Sequence, residues 1–249
     1  MLSYLLKSLR YWIKSRLLWI LVPIKAGPLK GYRWSVVTGV RFLRGTYHES
    51  ETATLIGLIN PGDVVYDIGA HVGYYTLVAA QAAGDGRVIA FEPLELNRKT
   101  LRKHIEVNGV GNITVLPYAV SSTSGTEQFD LAGGTGRGQL STGGKLAVEV
   151  KTIDELHASG TIPPPNLIKM DIEGAEVSAL KGAAKVIEAC SPRIFLATHG
   201  AEIRRECEEF LRSHGYDLKN FRSSDIIATR AVARTPTGAK PERPAYGKA

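Results

Sequence analysis

The chain has 249 residues, 44% of them apolar, which suits one sizeable domain with appendages. Its net charge of +7 is uneven: residues 1–44 hold nine Lys or Arg and no acid, whereas 45–231 hold 18 basic and 23 acidic residues. A mildly acidic body argues against nucleic acid as a partner. Two cysteines, Cys190 and Cys207, fit neither a disulfide framework nor a metal cluster, and read as small apolar fillers in a reducing compartment.

Residues 1–22 read MLSYLLKSLRYWIKSRLLWILV. On a helical wheel Ser3, Lys7, Arg10 and Lys14 form one stripe, with Leu2, Leu5, Leu9, Trp12 and Ile13 opposite. The longest apolar run, Leu17 to Val22, is far short of the roughly 20 residues that a spanning helix needs. No secretory leader fits either, because the charges reach too deep. The arm is expected to lie on an anionic membrane surface, on the inner face of a cytoplasmic membrane, or to pack on the domain or on a second subunit. Pro23 and Gly27-Pro28 end the helix and open a linker that runs to about residue 44.

From residue 45 helices and strands alternate. Helix is expected over 49–59, strand over 64–68, helix over 74–83, strand over 87–91, helix over 94–107 and strand over 113–116. After an interruption, strand at 167–170, helix at 175–188, strand at 194–197 and helix at 203–213 follow. Two strands at 216–221 and 226–230, joined by a turn too short for a crossover, should pair antiparallel. The fold class is therefore α/β: a Rossmann-like, seven-stranded, mostly parallel sheet with a C-terminal antiparallel hairpin, flanked by helices. The interruption holds two short strand candidates around a stretch, 131–145, with six glycines between Gly133 and Gly144, read as a hairpin tip or a mobile flap over a substrate. Residues 232–249 read as a disordered tail.

The stretch 64–73, V-V-Y-D-I-G-A-H-V-G, ends a strand on a glycine turn that opens a helix. Against the dinucleotide fingerprint its first slot is Asp67, its second Gly69, and Gly73 comes one step late. A carboxylate in the first slot would repel a pyrophosphate and suits a cationic ligand. S-adenosylmethionine (SAM), with its sulfonium and ammonium, is such a ligand; Gly69, Ala70 and Gly73 would let the backbone close on its methionine end. Glu92, 25 residues after Asp67 and followed by Pro93, stands where an acid takes ribose hydroxyls in such folds. Ala119 and Val120, beyond the third strand, are expected as the adenine wall.

These segments, followed by I-K-M-D-I-E-G-A-E at 168–176 and Leu180-Lys181-Gly182, resemble the FkbM-type methyltransferases over residues 45 to 230. The resemblance implies a class I fold, SAM as cofactor, and O-methylation of a hydroxyl on a sugar, glycan, lipid or natural product. Two positions depart from the family's usual pattern: His71 stands where Asn is common, and Ala197 where a Glu precedes the His, which leaves His199 without that acid partner. Asp171 is the first candidate for the base that takes the acceptor's proton, and His199, at the end of the fifth strand, the second. Asp171 could instead contact the SAM ammonium or cap the next helix, and His199 could only bind substrate. Glu173 and Glu176 suit a helix start in any case. No compact ligand spacing supports a metal held by Asp171, Glu173 and His199, and none is expected. His48, His104, His157 and His214 read as surface or packing residues. Two rival readings stand beside the methyltransferase. One is a nicotinamide-dependent oxidoreductase, which Asp67 and the lack of a Tyr-x-x-x-Lys pattern disfavour. The other is a SAM-binding or membrane-docked partner protein without catalysis. The oligomeric state is not readable.

Overall fold

A computed structural model describes residues 17, 19–131, 138–141, 143–222 and 224–230. Most of the arm at 1–22, the centre of the glycine-rich stretch and the tail at 232–249 lie outside these residues.

The chain enters through two short strands, β1 (Leu21–Pro23) and β2 (Arg33–Ser35), paired antiparallel. The stretch expected as a linker to residue 44 is thus folded structure, and Leu21 and Val22, expected to end the helix of the arm, belong to β1. The reason is burial: Ile24, Leu29 and Trp34 leave water completely or nearly so and join Leu55, Tyr74 and Leu77 in one core. Trp34 stacks on His104, with ring centroids 3.7 Å apart. His104 Nε2 accepts the Ser35 N–H and Nδ1 donates to the Val72 carbonyl, so the ring is a neutral bridge; burial pushes its pKa down to about 4. His104 is a packing residue, as expected.

Strands β3 (Val64–Ile68), β4 (Arg87–Phe91) and β5 (Ile113–Leu116) follow, separated by the helices Tyr74–Ala83 and Glu95–Val107. Four short strands, β6 (Ala119–Val120), β7 (Gly125–Asp130), β8 (Gln139–Leu140) and β9 (Leu146–Lys151), make a separate sheet in the order β6-β9-β7-β8. The expected pair of strands at 127–130 and 146–150 is present as β7 and β9 and is antiparallel; the additional sheet around it, and the helix Ile153–Ala158, were not expected. β10 (Leu167–Met170), β11 (Arg193–Ala197), β12 (Asp217–Asn220) and β13 (Asp225–Thr229) complete the main sheet, ordered β12-β13-β11-β10-β3-β4-β5. β3, β4, β5, β10 and β11 run parallel, and β13 is antiparallel to both its neighbours, as expected for the terminal hairpin.

The helix expected over 175–188 is two: Glu176–Lys181 and Ala184–Cys190, broken at Gly182. A Cβ on Gly182 would meet the Ser121 carbonyl at 2.0 Å, so the chain must bend where β6 passes. β3 and β10 lie at the centre, and the strand order reverses between them. In parallel sheets a ligand crevice opens at the carboxyl ends of the strands at such a point.

Candidate active site

At that edge lies a cavity of about 540 Å³, within the range of small-molecule sites. The glycine turn forms one wall. Gly69 has φ 85°, and a Cβ there would sit 2.0 Å from the Asp171 carbonyl. Only glycine lets the end of β3 lie this close to the end of β10. Gly69 and Ala70 line the cavity, as expected, together with Glu92, Pro93, Ala119 and Val120.

Glu92 ends β4, 4% exposed. Its carboxylate accepts backbone N–H bonds from His71 (2.8 Å) and Leu94 (2.9 Å) and a side-chain bond from Asn97. Burial nevertheless outweighs these donors and pushes its pKa up to about 7. A carboxylate has about four acceptor positions, so one remains for a ribose hydroxyl.

Two expected cofactor residues stand elsewhere. Asp67 does not line the cavity: it is 1% exposed and lies beneath the turn. Its carboxylate accepts from Thr76 Oγ1 at 2.6 Å and pairs with Lys169 Nζ at 3.0 Å. The signal was in the sequence, because I-K-M places a lysine on the neighbouring strand, and Lys169 and Asp67 are partners in the parallel register. Gly73 is the N-cap of the helix Tyr74–Ala83 and does not line the cavity either; a Cβ there would strike Leu101 Cδ1 at 2.2 Å. Its bareness serves helix packing.

Lys169 takes the place expected for Asp67. It is 4% exposed, lines the cavity, and lies 4.9 Å from the centre of the Tyr75 ring. Burial alone would lower its pKa, but Asp67 and Asp171 hold it above the usual value, so it is an ammonium.

Asp171 and His199 come together, as the sequence suggested. His199 Nε2 lies 3.6 Å from Asp171 Oδ1 and 3.6 Å from Glu173 Oε2. The missing acid at Ala197 is replaced by Glu176, which accepts from His199 Nδ1 at 2.8 Å and has no exposed surface. The same Glu176 oxygen accepts the Gly174 N–H at 3.1 Å and so shapes the turn that carries Glu173 and Gly174, both at positive φ. Glu176 was read from sequence only as a helix-start acid. Its hydrogen bond, against the opposing effect of burial and with Asp171 and Glu173 nearby, raises the His199 pKa to about 9. A proton so held makes His199 a poor base near neutrality.

The opposite wall is aromatic, built by the N-terminal segment at 42–48 and by the start of the helix Tyr74–Ala83. Phe42, Tyr47, Tyr74 and Tyr75 line it, with His48, whose Nδ1 lies 3.1 Å from the Tyr75 hydroxyl. His48 is exposed, as expected, and also lines the cavity. Arg222 lines the rim and pairs with Glu51 at 2.8 Å.

The strand order, the glycine turn and the acid after β4 define a class I methyltransferase fold with a nucleoside-sized cavity. A family model described as "Methyltransferase FkbM domain" matches residues 67–218, and the chain belongs to that family. Among curated proteins, hexuronic acid methyltransferase AglP of Haloferax volcanii is 31% identical over 154 residues, which are 60% of this chain and 61% of that one. AMB antimetabolite synthetase AmbE of Pseudomonas aeruginosa is 27% identical over 65% of this chain and 10% of its own length. This chain thus spans less than two thirds of either relative. Among solved structures, methyltransferase FkbM from Methylobacillus flagellatus KT has the same fold, with a TM-score of 0.51 at 22% identity over 67% of this chain and 43% of that one. The cofactor that membership assigns is SAM, and the buried, cavity-facing Glu92 beside the bare turn at Gly69 fits it. Among the described residues no helix is long and apolar enough to cross a membrane.

Proposed function

We propose that the protein transfers a methyl group from SAM to a hydroxyl of a sugar-like acceptor. One observation carries this reading: Asp171 ends the central strand β10 and opens on one cavity with both Glu92 and the aromatic wall. When bound, the cofactor supplies a methyl group already activated on a sulfonium. Glu92 would hold the ribose, the backbone at Gly69 and Ala70 the methionine end, Lys169 its carboxylate, and Ala119 and Val120 the adenine.

Asp171 would take the hydroxyl proton as the oxygen attacks, with His199, fixed by Glu176, beside it to hold the acceptor. Tyr47, half-buried and stacked on the buried Phe42 with centroids 4.1 Å apart, offers the flat apolar face that a pyranose ring needs. The relative named as a hexuronic acid methyltransferase supports a sugar acid as the acceptor. Arg222 at the rim is the group suited to its carboxylate. The test is turnover. Asp171→Asn should bind SAM as the wild type does and lose methyl transfer to a uronic-acid glycoside by about 10²-fold or more, the scale of a lost general base. Unchanged turnover would remove Asp171 as the base.

The arm at 1–16 lies outside the described residues. Its basic amphipathic pattern supports a second proposal, peripheral contact with an anionic membrane. Deletion of 1–16 should abolish co-sedimentation with phosphatidylglycerol vesicles; retained binding would refute it.

A further inference from the structure

The ring at His199 faces two acids in a way that an ordinary hydrogen bond does not explain. Nδ1 is already committed to Glu176, so Nε2 alone meets Asp171 and Glu173. Both gaps are 3.6 Å. That is too long for an N–H···O bond. Two ligand atoms about 2.2 Å from one shared ion lie roughly 3.1–3.6 Å apart for angles of about 90–110°, and both gaps fall at the wide end of that span. One ligand atom from each of Asp171, Glu173 and His199 lies within 4.8 Å of the others. The groups lie in the turns one to three residues beyond the ends of the neighbouring strands β10 and β11, so the sheet brings these turns side by side.

We infer that Asp171, Glu173 and His199 form a binding site for one divalent cation of the Mn²⁺ or Mg²⁺ type. Glu176 completes it from behind. A metal-bound imidazole commonly donates its other N–H to a carboxylate, which fixes the ring and strengthens the ligand. Glu176 does this with no exposure to solvent, and its second oxygen, also buried, has no hydrogen-bond partner among the described residues. Two carboxylates and one imidazole suit Mn²⁺ or Mg²⁺ better than a soft metal. Asp171, Glu173 and His199 all line the cavity, which leaves coordination positions open towards it. A hydroxyl oxygen bound there would lose its proton more readily, and Asp171 has a second carboxylate oxygen to accept it. This last step rests on the methyl-transfer reading; the cation site does not.

The test is a titration of the full-length, chelator-stripped protein with Mn²⁺ in the absence of SAM, followed by the loss of the free-ion electron paramagnetic resonance signal. One Mn²⁺ per chain is expected. His199→Ala and Glu173→Gln should each weaken it by at least about tenfold, and Glu176→Ala by about 10- to 100-fold, as outer-sphere partners do. Far-UV circular dichroism and SAM titration of each variant show that the fold is intact. Absence of saturable binding up to about 1 mM Mn²⁺, or equal affinity in all three variants, would overturn the inference. Stoichiometric Mn²⁺ with no transfer to any hydroxyl keeps the site and sinks the proposed activity. Full transfer after chelation, with no Mn²⁺ bound, does the reverse.

Discussion

Asp67 and Glu92 are both buried carboxylates at strand ends, yet they do different work. Asp67 is neutralised by Lys169, so its loss should be felt in stability. Asp67→Asn would take from the buried Lys169 ammonium its direct ion-pair partner, with Asp171 the remaining nearby acid, and should cost about 3–5 kcal/mol in urea unfolding. Glu92 has only hydrogen-bond donors and a nearby arginine to offset its burial, and holds a proton up to about pH 7. Two opposite trends follow. The folded state binds this proton more tightly than the unfolded chain, so the Glu92 contribution to apo stability is complete below the unfolded pKa and is lost as pH rises to about 7. The carboxylate accepts from ribose hydroxyls more strongly than the protonated acid does, so SAM affinity should rise between pH 6 and 8. Calorimetric titration across that range checks it, with Glu92→Gln as the variant that binds weakly and shows no trend. The sequence revealed both acids as special because each ends an apolar run. It did not reveal which one faces the cavity. That depends on Lys169, which is about a hundred residues away in the chain and one strand away in space.

At the scale of elements, the alternation of helix and strand was plain because buried strands are short apolar runs with sharp ends, and all seven strands expected for the main sheet fall within a residue of their observed limits. The parts that escaped reading have another physics. Residues 21–44 are poor in periodic pattern and punctuated by proline and glycine, but they are pinned by a few large side chains. Trp34→Ala removes the ring that stacks on His104 and should cost about 3–5 kcal/mol by thermal or chemical unfolding. A cost near zero would restore the linker reading. The small sheet β6–β9 was half legible. β7 and β9 alternate in pattern, whereas the two-residue strands β6 and β8 carry too little sequence to announce themselves. The split of the helix at Gly182 is set by the approach of Ser121, a contact that no local pattern encodes.

For the whole molecule, the site joins pieces from both halves of the sequence. Aromatic residues at 42–75 face the acids at 171–176 and His199 across one cavity. The glycine turn and the D-I-E-G-A-E stretch advertised two corners of it, and the third corner, the aromatic wall, could not be inferred before the N-terminal segment was seen to fold onto the sheet. The pairing of Asp67 with Lys169 has one more consequence, for how the chain finds its shape. These two residues are direct register partners on the central strands β3 and β10. A two-residue slip would keep every side chain on its proper face and so escape detection by hydrophobicity alone. It would, however, bury an acid and a base out of reach of each other. The ion pair therefore acts as a check on alignment during folding, rejecting the misaligned sheet before the cavity above it is built.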